Sequence, residues 1–309
     1  MSKVLGIIAE YNPFHNGHLH HLETSKKLTG ADYTVAIISG NFTQRGSTSI
    51  IDKWSKAKMA LENGIDLVIE LPVLYSISSA ENFADGAIKI LNSLGIVDYL
   101  SFGAETSDIS ILNKIADILH SEPEEYKKLL SLELTNGLSF PKARENALIN
   151  YIKNNANNIF ENNESDFEKY KKALSSPNNI LGIEYLKALK KYKSSIKPIC
   201  ISRFATDYNS TELLKIDNFI SNCNFQNFAS ATAIRELIKN KNFNAIKTVI
   251  PLESSSVLMD CINSGCIVPD LNVFEKEIIY VLRKMSIEEI ANIPDVSEGL
   301  EFSIKKAAN

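Results

Sequence analysis

The chain has 309 residues, 44% hydrophobic and 23% charged, with a formal net charge of −4. That balance excludes a disordered or disulfide-stapled protein, and no apolar run reaches the roughly 20 residues of a membrane helix. It also argues against non-specific nucleic-acid binding. Met1-Ser2-Lys3 leads into a strand rather than a signal peptide, so a cytoplasmic protein with buried free thiols at Cys200, Cys223, Cys261 and Cys266 is expected.

The apolar run Val4–Ala9 predicts a first buried strand. The breaker-rich Glu10-Tyr11-Asn12-Pro13 closes it, and an amphipathic helix follows from about His18. Between them lies His15-Asn16-Gly17-His18. Two imidazoles three residues apart at a helix start can both aim at whatever lies over that terminus, where open N–H groups and the dipole favour an anion. Gly17 has no Cβ, so a phosphate could approach the backbone closely. His15 and His18 are therefore candidate donors to phosphate oxygens. Taken alone, His20 and His21 are ordinary loop polar groups.

Tyr33–Ser39 predicts a second strand, followed by the polar loop Gly40–Ser47 at its C-terminal end, the edge where open α/β sheets bind ligands. Arg45 in that loop is a candidate partner for a carboxylate or phosphate. Asp52–Asn63 has helical spacing, with Trp54, Ala57 and Leu61 expected as its apolar stripe and Gly64 behind it as a C-cap. Lys53 sits near the helix start, where the dipole disfavours a cation, and is expected to face an anion. Asp66–Leu71 is a third strand, Ser79–Leu94 a helix, and Tyr99–Phe102 a fourth strand with Gly103 at its end. This alternation predicts an α/β fold with a doubly wound parallel sheet, Rossmann-like in arrangement.

Residues 107–175 predict a helical insertion, on which Lys142 and Arg144 are candidate polyanion contacts. An asparagine of Ser176-Pro177-Asn178-Asn179 is expected to cap the helix Ile180–Lys191. Lys197–Ser202 is a fifth strand that delivers Arg203 to the ligand edge, where its planar guanidinium suits a phosphate or a base face. Ser230 or Thr232 caps a further helix with Arg235 one turn inside, a second anion cradle. The expected division is 1–250 for the sheet-bearing domain with its insertion and 251–309 for a helical C-terminal region.

The ordered blocks GIIAEYNPFHNGHLHHL (6–22), SGNFTQRG (39–46), DKW (52–54), FGAE (102–105), FPKAR (140–144), SPNNILGIEYLKAL (176–189) and SATAIR (230–235) resemble the tRNA(Met) cytidine acetate ligase family, a branch of the HxGH nucleotidyltransferases. The resemblance implies an ATP-dependent, AMP-forming ligase. Such an enzyme activates acetate as acetyl-adenylate, releases pyrophosphate, and acetylates N4 of the wobble cytidine of elongator tRNA(Met). It places ATP, as a substrate, along Ile7, Ile8, Ala9, Glu10, Tyr11, Asn12, Pro13, Phe14, His15, Asn16, Gly17, His18, Leu19 and His20, and against Gly103, Asn178 and Arg203. His15 and His18 would be the catalytic pair, with Ser230, Thr232 and Arg235 a second phosphate motif. Arg45, Lys53, Lys142 and Arg144 are the candidates for substrate or tRNA contact. No resident metal is expected; Mg2+ accompanying the nucleotide stays open, as does the oligomeric state. Family members run on with a further basic helical segment, so 251–309 is expected to be a shortened region with weakened tRNA binding. The alternatives are a small-molecule adenylyltransferase of coenzyme biosynthesis and a catalytically silent RNA-binding protein on the same fold.

Overall fold

Five strands form one wholly parallel sheet: β1 (Val4–Ala9), β2 (Tyr33–Ser39), β3 (Leu67–Leu71), β4 (Tyr99–Ala104) and β5 (Lys197–Ser202). Their spatial order is β3-β2-β1-β4-β5, so the winding reverses between β1 and β4. The structure, a computed structural model, describes residues 2–106, 108–155, 164–202, 214–215, 227–268, 270–294, 296–297 and 299–309. Arg203 and Cys223, both named above, lie outside the described residues.

Side chains alternate across the sheet and feed two cores. Val4, Ile8, Val35 and Ile37 belong to one, Leu5, Ile7, Ala36 and Ile38 to the other. The first core is covered by α4 (Ala80–Leu94), α5 (Ile109–Ser121) and α9 (Pro177–Lys191). The second is covered by α1 (Asn16–Thr29), α2 (Lys53–Glu62), α10 (Ala231–Lys239), α11 (Phe243–Val249) and α12 (Leu252–Asn263). Short α3 (Val73–Ser76) follows β3. The insertion between β4 and β5 is helical as expected, with α6 (Glu124–Thr135), α7 (Phe140–Asn154) and α8 (Glu164–Ser175) beside α5 and α9. Packing runs on past residue 250, because Val257, Leu258 and Cys261 of α12 sit in the second core. Three described cysteines are free, but they are not uniformly buried: Cys261 is, Cys200 is half-buried and Cys266 is exposed.

Two helix expectations are corrected. The helix α9 starts at Pro177 with Ser176 in the cap position, so no asparagine caps it; proline at the first helical position has its φ already set and needs no N–H partner there. The stripe expected for α2 is only partly borne out: Ala57 packs against the second core, but the two larger members face outward. Trp54 is 76% and Leu61 47% exposed, while Lys56, Met59 and Ala60 are buried.

That inversion is possible because Lys56 finds three acceptors. Its Nζ donates to Gly40 O (2.8 Å), Ser49 Oγ (2.9 Å) and Ser39 Oγ (3.3 Å), pinning the end of β2 to the following loop. Burial pulls its pKa down to about 8, against the opposing pull of Glu10 and Glu70. The unfolded chain keeps an ordinary lysine. From about pH 8 to pH 10.5, therefore, the unfolded state holds a proton that the folded state has released, and stability gains about 1.4 kcal/mol per pH unit. Urea unfolding of wild type and Lys56→Met should show this gain in the wild type alone. The gap between them should move toward the wild type by about 2 kcal/mol between about pH 7.5 and 9.5. A gap that stays constant would contradict the assignment.

Candidate functional site

A cleft of ≈ 570 Å³ opens at the C-terminal ends of the strands, where the order reverses between β1 and β4. The histidine motif builds its floor. His15 is the N-cap of α1, and its Nδ1 accepts the N–H of Gly17 (3.1 Å). The Nδ1 of His18 accepts the backbone N–H of His15 (3.3 Å). This is a capping box made of two imidazoles rather than a hydroxyl and a carboxylate. The rings stack, with centroids 3.7 Å apart and planes at 22°. Because each Nδ1 accepts a backbone proton, each neutral ring carries its own proton on Nε2. The local fold thus sets both histidines as Nε2–H donors.

Support comes from beneath. Tyr11 adopts φ 47°, a conformation L residues rarely take, and its ring is buried against Phe14 (4.7 Å between centroids) and His18 (4.9 Å). Gly17 has a nearer reason to be glycine than the approach of a phosphate. A Cβ there would lie 2.9 Å from Cε1 and 3.1 Å from Nδ1 of His15.

The other walls bring distant segments to the same space. The Ser230 hydroxyl accepts the N–H of Ala233 at the start of α10. Arg235 donates to Asn12 O and to Thr232 Oγ1, each at 3.0 Å. So Ser230 is the cap, and Thr232 instead fixes the guanidinium. From the loop after β2, the Gln44 N–H donates to Glu10 Oε1 (2.7 Å) and its side chain to Ser78 O (2.8 Å), bringing Arg45 to the rim.

Most of the expected ligand stretch reaches this cleft: Ile7, Ile8, Ala9, Glu10, Tyr11, Asn12, His15, Gly17, His18 and His20, with Gly103, Asn178, Ser230, Thr232 and Arg235. Pro13, Phe14, Asn16 and Leu19 do not line it. Phe14 and Leu19 pack into the second core, and the Asn16 amide donates to Thr248 O (3.2 Å), away from the cleft. Of the basic candidates only Arg45 lines the cleft. Lys53 does face an anion, but a protein one, Glu70 at 2.6 Å. Lys142 pairs with Glu145 (2.9 Å) on the surface, and Arg144 pairs with the fully buried Glu184.

Three features escaped the sequence reading. Glu105 accepts from the Asn178 amide (2.6 Å) and from the Asn179 N–H (3.1 Å), so it holds the first turn of α9 against the cleft. Its place directly behind β4 was the available signal. Phe102 and Tyr185, 5.8 Å apart between centroids, form an apolar wall. His21 also reaches the cleft, tied to Ser101 Oγ (2.9 Å). Burial pushes the neighbouring His20 below the ordinary histidine range, against the raising effect of Glu23. Among the described residues no group of three or more His, Cys, Asp or Glu side chains converges as a metal site.

Residues 2–309 match the family profile described as HIGH Nucleotidyl Transferase. The chain is 46% identical over 311 residues to the tRNA(Met) cytidine acetate ligase of Acetivibrio thermocellus, covering 99% of this chain and 69% of that protein. It is 48% identical over 307 residues to the ligase of the same name from Caldanaerobacter subterraneus subsp. tengcongensis, covering 99% and 70%. Among solved structures, that of Thermotoga maritima TmcAL bound with alpha-thio ATP superimposes with a TM-score of 0.86 at 37% identity, covering 99% of this chain and 67% of that one. An apo form of the same protein gives 0.88 at 38% identity, covering 99% and 68%. The chain spans about two thirds of the length of these relatives. With this histidine capping box at the reversal point of a parallel sheet, the chain belongs to the tRNA(Met) cytidine acetate ligase family of HIGH nucleotidyltransferases.

Proposed function

We propose that this chain activates acetate with ATP and transfers the acetyl group to the wobble cytidine N4 of elongator tRNA(Met). The observation that carries the reading is the paired Nε2–H donor set of His15 and His18 beside Arg235. Attack of a carboxylate oxygen on the α-phosphate forms a new P–O bond and breaks the bond to pyrophosphate, which leaves with the electron pair. Charge builds on the α-phosphate oxygens and on the leaving group, where preorganised donors lower the barrier. Acetyl-adenylate then meets the exocyclic amine of cytidine. The C–N bond forms, AMP departs, and the amine gives up a proton.

No side chain need act as a nucleophile, so positioning carries the catalysis. His15 and His18 contact the phosphates, Arg235 balances the pyrophosphate charge, and Asn178, held by Glu105, lies along the nucleotide. Arg45, which lines the cleft, is the residue proposed to meet the incoming carboxylate. Incubation with ATP and radiolabelled acetate tests the scheme. Labelled acetyl-adenylate should form without RNA and pass its label to cytidine N4 when tRNA(Met) is added. Label appearing on RNA with no adenylate intermediate would refute it.

Gly17→Ala provides a narrower test. The added methyl must displace the His15 ring, and a side chain yields more cheaply than backbone. Helix propensity favours alanine by about 1 kcal/mol, so thermal stability should hold. Acetate-dependent ATP–pyrophosphate exchange should fall by about 10²-fold, the scale of one misplaced donor. Equal losses of stability and activity would make Gly17 a packing residue only.

A further inference from the structure

The outward face of α2 is not explained by folding or by the nucleotide site. The helix turns Lys56 inward and leaves the single tryptophan of the chain 76% exposed, with the exposed Leu61 two turns further on. Single exposed apolar residues are common on protein surfaces, so it is the placement of this ring that gives it weight. Trp54 is also held in place. Its backbone N–H donates to Asp52 Oδ1 (2.8 Å), and Lys53 Nζ lies 5.5 Å from the ring centroid. Lys53 is itself fixed by Glu70.

The position of this ring connects it to the cleft. The Lys53 N–H donates to Asn41 Oδ1 (2.9 Å), so the start of α2 is tied to the loop that carries Thr43, Gln44 and Arg45 into the cleft. Lys56 fixes the same loop from below through Gly40 and Ser49. Trp54 and the mouth of the cleft thus belong to one braced wall.

We propose that Trp54 is a stacking platform for an unpaired base of a single-stranded RNA loop, next to the nucleotide presented to the cleft. This rests on the tRNA-ligase reading above. A substrate whose reacting base is unpaired brings unpaired neighbours with it, and flat aromatic faces take such bases without reading their sequence. The cation at the ring is Lys53, and the lysines of this helix are paired with acids, Lys53 with Glu70 and Lys58 with Glu62. Stacking rather than charge therefore carries the contact. A protein partner covering the same face is an outcome the test below distinguishes.

Because Trp54 is the only tryptophan, its fluorescence reports on this one position. Titration with a hairpin RNA carrying the anticodon loop of tRNA(Met) should quench it. Trp54→Ala should raise the Kd for that hairpin and the KM for tRNA by about 10-fold or more, the scale of one lost stacking contact. Trp54→Phe should recover most of the affinity, and acetate-dependent ATP–pyrophosphate exchange without RNA should be unchanged in both variants. Hairpin binding without quenching, no hairpin binding at sub-millimolar RNA, or an unchanged KM in Trp54→Ala would each overturn the platform. So would a protein, rather than RNA, proving to cover the ring. If the wild type lacks acetate-dependent exchange, the ligase reading fails by itself. Quenching by the hairpin would still support the platform in that case.

Discussion

His18→Ala is expected to slow acetate-dependent ATP–pyrophosphate exchange by about 10²–10³-fold, some 3–4 kcal/mol of transition-state stabilisation. The substitution removes one Nε2–H donor from the cleft and takes away the ring that stacks on His15. It also removes the acceptor for the His15 N–H, a capping contact whose loss costs about 1 kcal/mol of stability. ATP binding, followed by calorimetry, should change only a few-fold. The contacts proposed for Gly103, Asn178 and the Phe102 wall would remain, and the lost donor acts most strongly on charge that develops during the reaction. Exchange within a few-fold of wild type would make His18 a helix cap and nothing more.

The largest effect on stability should come from Arg144→Met. Glu184 is fully buried on α9, and Arg144 reaches it from α7 while Lys187 approaches its other oxygen at 2.9 Å. Lys187 also pairs with Glu81 (2.8 Å) at the start of α4, so three helices meet at one buried carboxylate. Removing one partner leaves a charge that burial penalises and a single lysine compensates incompletely. A loss of about 3 kcal/mol follows, and the melting temperature should fall by several degrees. Arg144→Met with Glu184→Leu should restore much of it, since an apolar pair of similar volume does not leave a charge behind. If the single variant melts with the wild type, Arg144 is not holding Glu184, and its role as a polyanion contact returns.

Arg144 shows where reading residues along the chain stops. A basic residue on an amphipathic helix looks like a solvated face, because the carboxylate that needs it is 40 positions away. The same limit governs α2. Periodicity placed Trp54, Ala57 and Leu61 on one inward stripe, but only Ala57 packs against the core. Which side faced inward was decided by Gly40 O, Ser39 and Ser49, acceptors that only the folded loop assembles around Lys56. The sheet was more legible. Val4–Ala9 and Tyr33–Ser39 are largely buried strands rich in branched residues, Lys197–Ser202 is a half-buried edge strand, and the boundaries of all three matched residue for residue. Segments that meet only through topology, such as Arg235 on Asn12 or Glu105 on Asn178, could be suspected as motifs. Their pairing could not be read.

The two imidazoles at the start of α1 and the arginine of α10 are proposed here as a site for adenylating a small carboxylate. The most direct test is ATP–pyrophosphate exchange by the wild-type chain, measured with and without acetate and without RNA. Exchange should appear only when acetate is added and should not be supported by phosphorylated acceptors. Exchange that ignores acetate, or that answers to a phosphate-bearing acceptor instead, would contradict the assignment.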